Sequence, residues 1–165
     1  NRSLGKLKDE AYTDVLTGAA SRRYGMLKLD RMMQERKQFS VALIDLDGLK
    51  KVNDNLGHQE GDRYLVCVSH ALSGCFGAKY VCRLGGDEFL AILPDKTEQE
   101  AAVLMEEACR NMEEAFRSQD MAFGPSVSYG IAQFDLLGAG SVSGLLELAD
   151  RRMYEMKRKR HKMRQ

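Results

Sequence analysis

Hydrophobic residues along this chain recur with two different spacings, which predict an alternation of helices and strands. Apolar residues repeated every three to four positions predict amphipathic helices at 21–36, 60–72, 97–116 and 143–159. Continuous or alternating apolar runs predict strands at 39–44, 80–84, 88–93 and 126–132. Thr97 is expected to cap the third of these helices. Gly57 is expected to interrupt the helical stretch that follows the first strand.

The order of these elements predicts the fold class. A strand, a helix, two strands joined by Gly85-Gly86, a helix and a fourth strand make a β-α-β-β-α-β core, which is the ferredoxin-like arrangement. We therefore expect an α/β protein of the α+β type, with an antiparallel sheet flanked by helices. In that sheet the first core strand lies beside the third. Asp45, Asp47 and Asp87 are then expected to converge near the Gly85-Gly86 turn.

Composition narrows the class of protein further. The 165 residues, 44% hydrophobic and 30% charged, suit one globular domain. No apolar run approaches the roughly 20 residues that cross a bilayer, and the start of the chain has no signal-peptide pattern. The four cysteines form no C-x-x-C pair, which predicts reduced, buried thiols. Residues 151–165 hold eight Lys/Arg and one acid, which indicates an anionic partner or a solvated helix end.

The N-terminal residues carry a short helical pattern of their own. Leu4, Leu7 and Ala11 are spaced three and four apart, and the chain begins with Asn1. We expect residues 1–13 to be the end of a connector helix and the chain to be a piece of a longer protein. A single domain is predicted at 14–161, followed by a basic tail at 162–165.

The converging carboxylates are the first candidate for chemistry. Like charges brought together are costly unless a cation lies between them. Hard oxygen ligands suit Mg²⁺, which typically takes one or two carboxylates and leaves room for substrate phosphates. Asp45 and Asp87 fit that description. The alternative is that they are solvated acids at strand ends.

Three further features each have a structural and a functional interpretation, and the structural one is favoured when a feature stands alone. Gly85-Gly86 would let a ligand approach the backbone, or would form a plain hairpin turn. Asn53 and Asp62 would bind the edge of guanine, or would serve helix ends around Gly57. The basic end of the last helix, from Lys157 onward, would meet phosphates, or would be solvated.

Motifs spread over the chain resemble one known family. Residues 83–89 read R-L-G-G-D-E-F and contain the sequence that names the GGDEF family of diguanylate cyclases. Other segments resemble the remaining signatures of that family in order and spacing: D-V-L-T-G at 14–18, D-L-D at 45–47, N-D-N-L-G-H-Q-E-G-D at 53–62, S-Y-G at 128–130, and A-D, M-Y and Lys157 in the last helix. The resemblance covers about residues 12–161. It implies a fold like that of nucleotidyl cyclase and polymerase palm domains.

The resemblance implies a role for each matching residue. The side chains of Asp45 and Asp87, with the carbonyl of Leu46, would hold Mg²⁺ or Mn²⁺. Asn53 and Asp62 would bind guanine. The phosphates would be bound by residues that offer backbone groups or positive charge, namely Gly48, Leu49, Lys50, Gly85, Gly86 and Lys157. Either Asp87 or Glu88 would accept the proton, and the sequence leaves both open.

The resemblance also implies partners. Each monomer would hold one GTP, and a homodimer would let the 3′-hydroxyl of one GTP attack the α-phosphate of the other, twice. The products would be cyclic di-GMP and pyrophosphate. We further expect an upstream sensor domain and a cytoplasmic location, either free or as the cytoplasmic part of a membrane-anchored protein. No contact of this domain with nucleic acid or membrane is expected.

Several positions depart from the family pattern. Phe76 and Lys79 stand where the R-x-x-D inhibitory motif has its Arg and Asp, so product inhibition through that site is not expected. Leu49 replaces a common Phe, and the Arg that follows the last-helix Lys is displaced to Arg160. A catalytically weak or inactive GTP-binding regulatory module therefore stays open.

A second alternative is an RNA-binding domain of the same fold. The basic C-terminal segment would be its electrostatic footprint. Its stacking residues would come from the aromatic residues of the predicted strands, which are Tyr80, Phe89, Tyr129 and Phe134. The RNP pattern that accompanies such residues is missing from the sequence, and this alternative is the weaker one.

Overall fold

The computed structural model describes residues 12–135 and 140–163. The helices in these ranges are α1 (Arg22–Gln34), α2 (Leu49–Leu56), α3 (His58–Phe76), α4 (Glu98–Ser118) and α5 (Val142–Met163). The strands are β1 (Ala20–Ser21), β2 (Phe39–Leu46), β3 (Val81–Gly85), β4 (Glu88–Pro94) and β5 (Val127–Phe134). A short 3₁₀ helix, Ala78–Tyr80, precedes β3.

The strands form one sheet in the order β1-β3-β4-β2-β5. β2 pairs antiparallel with β4 on one side and with β5 on the other, as the predicted core requires. The ferredoxin-like fold is thus confirmed. The sheet is mixed rather than wholly antiparallel, because β1 pairs parallel with β3. This two-residue strand covers the edge of β3, which would otherwise expose unpaired backbone groups.

Helices cover both faces of the sheet, and β2 is buried along its whole length. Alternate residues of β2 point to opposite layers: Ala42, Ile44 and Leu46 pack with α3 and α4, while Val41 and Leu43 pack with α1 and α5. A strand buried on both faces favours apolar residues, and the buried hydroxyl of Ser40 in β2 donates to the carbonyl of Lys96. Burial on both faces explains why the segment has a nearly continuous hydrophobic run that ends at Asp45.

The helix ends follow local chemistry that is visible in the sequence. Thr97 caps α4, and its hydroxyl accepts the N–H of Glu100 while the Glu100 carboxylate accepts the N–H of Thr97. Gly57, with φ of +90°, separates α2 from α3. The predicted break and cap are therefore both confirmed.

Several boundaries differ from the sequence prediction. Tyr80 belongs to the 3₁₀ helix rather than to β3, because Gly77 at φ +92° first closes a turn. The last helix continues to Met163. The predicted connector helix at 1–13 lies almost entirely outside the described residues, as do 164–165 of the predicted tail. Of the four cysteines, Cys67 and Cys82 are buried as expected, but Cys75 and Cys109 are only half-buried.

Candidate active site

The ends of two neighbouring strands bring Asp45 and Asp87 together. In the β2–β4 register Asp45 lies opposite Glu88, and the N–H of Leu46 donates to the carbonyl of Asp87 at 3.0 Å. The carboxyl groups of Asp45 and Asp87 are close enough to interact directly. The sheet therefore produces the convergence of these two residues that the element order predicts.

Asp45 lies in an electrostatically unusual environment. It is only 8% exposed, and its Oδ2 accepts a hydrogen bond from Nζ of Lys157. Burial and the neighbouring Asp87 raise the pKa of Asp45, and they outweigh the opposite effect of Lys157. Burial alone would lower the pKa of Lys157, but its hydrogen bond to Asp45 and the surrounding acids raise it. Lys157 thus supplies the positive charge beside the two acids.

Glu88 adds a third acid to this edge of the sheet. It is half-buried, and burial raises its pKa. The nearby charges of Asp45, Asp150 and Asp87 act in the same direction, and Arg22 acts against them. The excess of negative charge around one point favours a bound cation.

The donor set suits Mg²⁺ without forming a complete cage. No group of three or more His, Cys, Asp or Glu side chains arranged to hold a metal occurs among residues 12–135 and 140–163. Mg²⁺ is commonly held by one or two carboxylates and completes its shell with water and substrate phosphates. Asp45 and Asp87, with a backbone carbonyl such as that of Leu46, match this incomplete set.

The Gly85-Gly86 turn has open space where side chains would lie, and its backbone is held by a hydrogen-bonded arginine, Arg83. Both glycines have positive φ, +148° and +50°, and a β-carbon on either would meet no atom within 4 Å. The guanidinium of Arg83 donates to the carbonyl of Gly86 at 2.8 and 3.2 Å. The same guanidinium pairs with the carboxylate of Asp14 at 3.3 Å. Asp14 is fixed in turn by the N–H and hydroxyl of Thr17.

The segment after β2 leads into α2 and is held by hydrogen bonds to the start of β5. Gly48, with φ of +74°, is the N-cap residue of α2. Leu49 packs partly against the core, and Lys50 is exposed. The Asp47 carboxylate accepts hydrogen bonds from the hydroxyls of Ser126 and Ser128, each at 2.8 Å, and Arg160 lies 3.6 Å away. Asp47 is thus hydrogen-bonded to residues at the start of β5, and its charge acts on Lys157 together with those of Asp45 and Asp87.

Asn53 and Asp62 lie on either side of the break between α2 and α3. The Asn53 side chain packs against Gly61, where a β-carbon would lie 1.7 Å from Asn53 Oδ1. A larger residue at Gly61 would require the Asn53 side chain to move. Asp62 directly follows Gly61 and is exposed. The two candidate guanine ligands thus lie at the same helix junction.

Lys157 reaches Asp45 because α5 packs unusually close to β5. A β-carbon at Gly130 would lie 1.9 Å from the carbonyl oxygen of Ala149 and 2.3 Å from the nitrogen of Met153. The S-Y-G motif at 128–130 carries this glycine, to which the sequence alone gives no function. A glycine inside a strand is the signal of a close backbone approach.

The role of Tyr64 was missed, and so was the contact between Arg83 and Asp14. Tyr64 is a buried residue of α3, and its hydroxyl contacts backbone groups of Asp47 and Ser126. An aromatic residue on the apolar face of a helix is normally interpreted as part of the hydrophobic core, so the sequence gives no sign of this role. Arg83 and Asp14 were recognised only as parts of motifs, and the contact that joins them is between residues 69 positions apart.

Comparison with known proteins identifies the family. The family described as diguanylate cyclase, GGDEF domain, matches residues 11–163. The chain is 33% identical over 133 residues to the probable diguanylate cyclase DgcJ of Escherichia coli K12, covering 78% of this chain and 27% of DgcJ. It is 32% identical over 103 residues to the cyclic di-GMP phosphodiesterase PdeB of Shewanella oneidensis, covering 62% of this chain and 12% of PdeB.

A solved structure of a GGDEF domain supports the same family assignment. The GGDEF domain of DgcB from Caulobacter crescentus, in complex with c-di-GMP, superposes with a TM-score of 0.81 at 29% identity, covering 90% of this chain and 91% of that chain. This chain belongs to the GGDEF diguanylate cyclase domain family, as its motifs indicate. Proteins of this family are typically diguanylate cyclases in c-di-GMP signalling and generally use a divalent metal ion.

The chain spans 27% of DgcJ and 12% of PdeB, so both relatives are much longer than this domain. Among the described residues, none of the helices is both long and apolar enough to cross a bilayer.

Proposed function

We propose that this chain is a diguanylate cyclase domain that condenses two GTP molecules into cyclic di-GMP and releases two pyrophosphates. The observation that carries the proposal is the buried Asp45 beside Asp87, at the base of the open Gly85-Gly86 turn. Burial and Asp87 raise the pKa of Asp45, and such an acid pair next to backbone that a ligand can approach suits a metal-bound triphosphate. The match of the whole domain to the GGDEF family supports the same chemistry.

Each functional group has a place in this scheme. Asp45, Asp87 and the Leu46 carbonyl would hold Mg²⁺ or Mn²⁺. The metal would neutralise charge that develops on the phosphates. The triphosphate would lie along the backbone of Gly85 and Gly86. The segment that begins at Gly48 and Leu49, with Lys50 and Lys157, would bind its remaining oxygens.

Asn53 and Asp62 would bind the guanine base and select it over adenine. A carboxylate accepts hydrogen bonds from the N1–H and N2–H₂ groups of guanine, which adenine does not offer in the same place. Asp62 is exposed and available for that contact, and the Asn53 side chain lies against Gly61, directly beside Asp62.

Asp87 and Glu88 are the two candidates for the base that accepts the proton of the 3′-hydroxyl. A carboxyl group whose pKa is raised by burial, as that of Glu88 is, is a better proton acceptor than an ordinary one. The reaction needs two nucleotides, so two copies of this domain would face each other, each with one GTP. An upstream sensor domain would control that pairing in the cytoplasm.

A GTP-binding regulatory module is the second candidate. It is favoured by the similarity to PdeB, a protein named for the hydrolysis of cyclic di-GMP. It is also favoured by Arg160, whose guanidinium contacts Asp47 and Ser126 rather than standing clear for a phosphate.

An RNA-binding surface has less support in the described residues. Helices cover both faces of the sheet, Phe89 is fully buried, and Phe134 stacks on Phe39 at 5.2 Å. An RNA reader of this fold needs such aromatic residues exposed on the sheet face.

The deciding experiment is incubation of the chain with GTP and Mg²⁺ at high protein concentration, with the products identified by mass spectrometry. Cyclic di-GMP that forms with the unaltered chain and disappears with Asp87→Ala supports the cyclase. If no product forms, the assay is repeated with a dimerising coiled coil fused to the N-terminus. GTP binding without product in both forms would favour the regulatory module.

A further inference from the structure

Tyr64 occupies the centre of an aromatic cluster beneath the candidate active site. Its ring is 1% exposed. It contacts Phe116 with ring centroids 5.5 Å apart and Phe123 at 5.2 Å. These contacts fix the ring and aim its hydroxyl out of α3 toward the end of the sheet.

The hydroxyl meets three backbone groups from two distant segments. It lies 3.0 Å from the carbonyl oxygen of Asp47 and 2.6 Å from that of Ser126. It also accepts the N–H of Ser126 at 3.0 Å. A hydroxyl has one proton, so it donates to one of the two carbonyls at a time. Burying a hydroxyl is costly unless it is hydrogen-bonded, and these three main-chain groups satisfy that need.

The two segments that Tyr64 joins belong to the candidate site. Asp47 lies between Leu46, whose carbonyl is a candidate metal ligand, and Gly48, where the candidate phosphate-binding segment begins. The hydroxyl of Ser126 also donates to the Asp47 carboxylate. Tyr64 itself is two residues from Asp62, the candidate guanine ligand on α3. The Tyr64 side chain therefore connects α3, which carries the candidate guanine ligand Asp62, with the segment that begins at Gly48 and would bind the phosphates.

We propose that Tyr64 is a positioning residue that fixes residues 47–50, here called the phosphate segment, relative to α3. It sets the distance between the guanine subsite and the triphosphate subsite without touching the nucleotide. The inference rests on the proposed function, because it assigns GTP to this site. It predicts that loss of the hydroxyl weakens binding of the triphosphate while binding of the base is retained.

Tyr64→Phe is the test, because it keeps the ring contacts and removes only the hydroxyl. The measured quantity is the ratio of the dissociation constant for GMP to that for Mg²⁺-GTP, by titration calorimetry. We expect this ratio to fall about three- to tenfold in Tyr64→Phe, the range of one lost hydrogen bond. The dissociation constant for GMP should be unchanged.

The matched control is Phe123→Leu, which loosens the same aromatic cluster without removing a hydrogen bond. We expect it to lower the melting temperature and to leave the GMP to GTP ratio as in the unaltered chain. Hydrogen exchange in the absence of nucleotide provides a second measurement. The amides of Asp47, Gly48 and Ser126 should exchange faster in Tyr64→Phe than in Phe123→Leu.

The outcomes separate this inference from the proposed function. An unchanged ratio in Tyr64→Phe, or equal weakening of GMP and GTP, would overturn the positioning role. If the chain binds Mg²⁺-GTP but forms no cyclic di-GMP, either alone or fused to the dimerising coiled coil, the cyclase proposal fails and the ratio still decides the role of Tyr64. If it binds no guanine nucleotide, both fail, and faster exchange would show only that Tyr64 stabilises the fold.

Discussion

Gly130 of β5 and Ala149 of α5 touch backbone to backbone, so closely that a β-carbon at Gly130 would lie 1.9 Å from the Ala149 carbonyl oxygen. The next turns of α5 carry Met156, whose sulfur accepts the N–H of Tyr129, and Lys157, which pairs with Asp45. The contact therefore sets the height of α5 above the sheet. That height determines whether Lys157 can reach the acids.

Gly130→Ala is predicted to lower stability and to separate Lys157 from Asp45. The added methyl group meets backbone that cannot rotate away, and such overpacking costs about 1–3 kcal/mol. Thermal denaturation should show the loss of stability. Nucleotide titration should show weaker binding of Mg²⁺-GTP.

Gly74→Ala is the matched control for that substitution. Gly74 lies within α3, and a β-carbon there would meet no atom within 4 Å. Replacing a helical glycine by alanine stabilises by about 0.5–1 kcal/mol. The two variants should therefore shift the melting temperature in opposite directions, and equal shifts would argue against the packing explanation.

Local signals in the sequence were sufficient to predict most of the fold. The buried run of β2, the Gly85-Gly86 hairpin and the Thr97 cap each depend on neighbouring residues, and each was predicted. β1 was missed because a two-residue strand has no periodicity. It forms only because the turn at residues 14–19 delivers Ala20 to the edge of β3.

The site was harder to predict where it depends on contacts between distant residues. The motifs indicated Asp45, Asp87 and Glu88, which the register of β2 and β4 brings together. One hydrogen-bond partner of Asp47 is Ser126, which lies 79 residues away in the sequence. Ser126 is also a hydrogen-bond partner of Tyr64, from which it is 62 residues away. No periodicity connects such pairs, so only the folded chain shows them.

Asp62→Ala is predicted to reduce discrimination between GTP and ATP. Asp62 is exposed, so its loss should leave the melting temperature unchanged. A hydrogen bond to a charged group contributes about 1.5–3 kcal/mol, so the preference for GTP should fall at least about tenfold. Competition binding with the two nucleotides measures this preference. Asp30→Ala, an exposed acid on α1, should not change it, and unchanged selectivity in Asp62→Ala would refute the guanine role.

Glu88→Gln is predicted to stabilise the metal-free protein in a manner that depends on pH. Burial, together with the charges of Asp45, Asp150 and Asp87, raises the pKa of Glu88 above its ordinary value of 4.5. The folded state therefore holds the proton more tightly than the unfolded state, and ionised Glu88 lowers the free energy of unfolding at higher pH. Below the ordinary value the group is protonated in both states, and this cost disappears.

Melting curves at two pH values test the effect. Glu88→Gln should melt at a higher temperature than the unaltered chain near about pH 7, and the difference should shrink toward about pH 4. Glu147→Gln, an exposed position on α5, should show little difference at either pH. A gain for Glu88→Gln that is equal at both pH values would show that amide packing, not charge, is responsible.

Cyclic di-GMP is predicted not to inhibit this domain through the position of the family's R-x-x-D motif. Phe76 ends α3 and packs partly against the core, and Lys79 lies in the following 3₁₀ helix with Nζ 5.8 Å from the ring centre of Tyr80. Neither side chain can replace an arginine that binds phosphate through two hydrogen bonds or an aspartate that accepts hydrogen bonds from guanine.

The double variant Phe76→Arg/Lys79→Asp should therefore gain binding of cyclic di-GMP, measured by calorimetry with GTP absent. Phe76→Arg alone serves as the control for lost packing and should gain much less. Binding by the unaltered chain as tight as that by the double variant, abolished by Lys79→Ala, would show that these residues form an inhibitory site of their own.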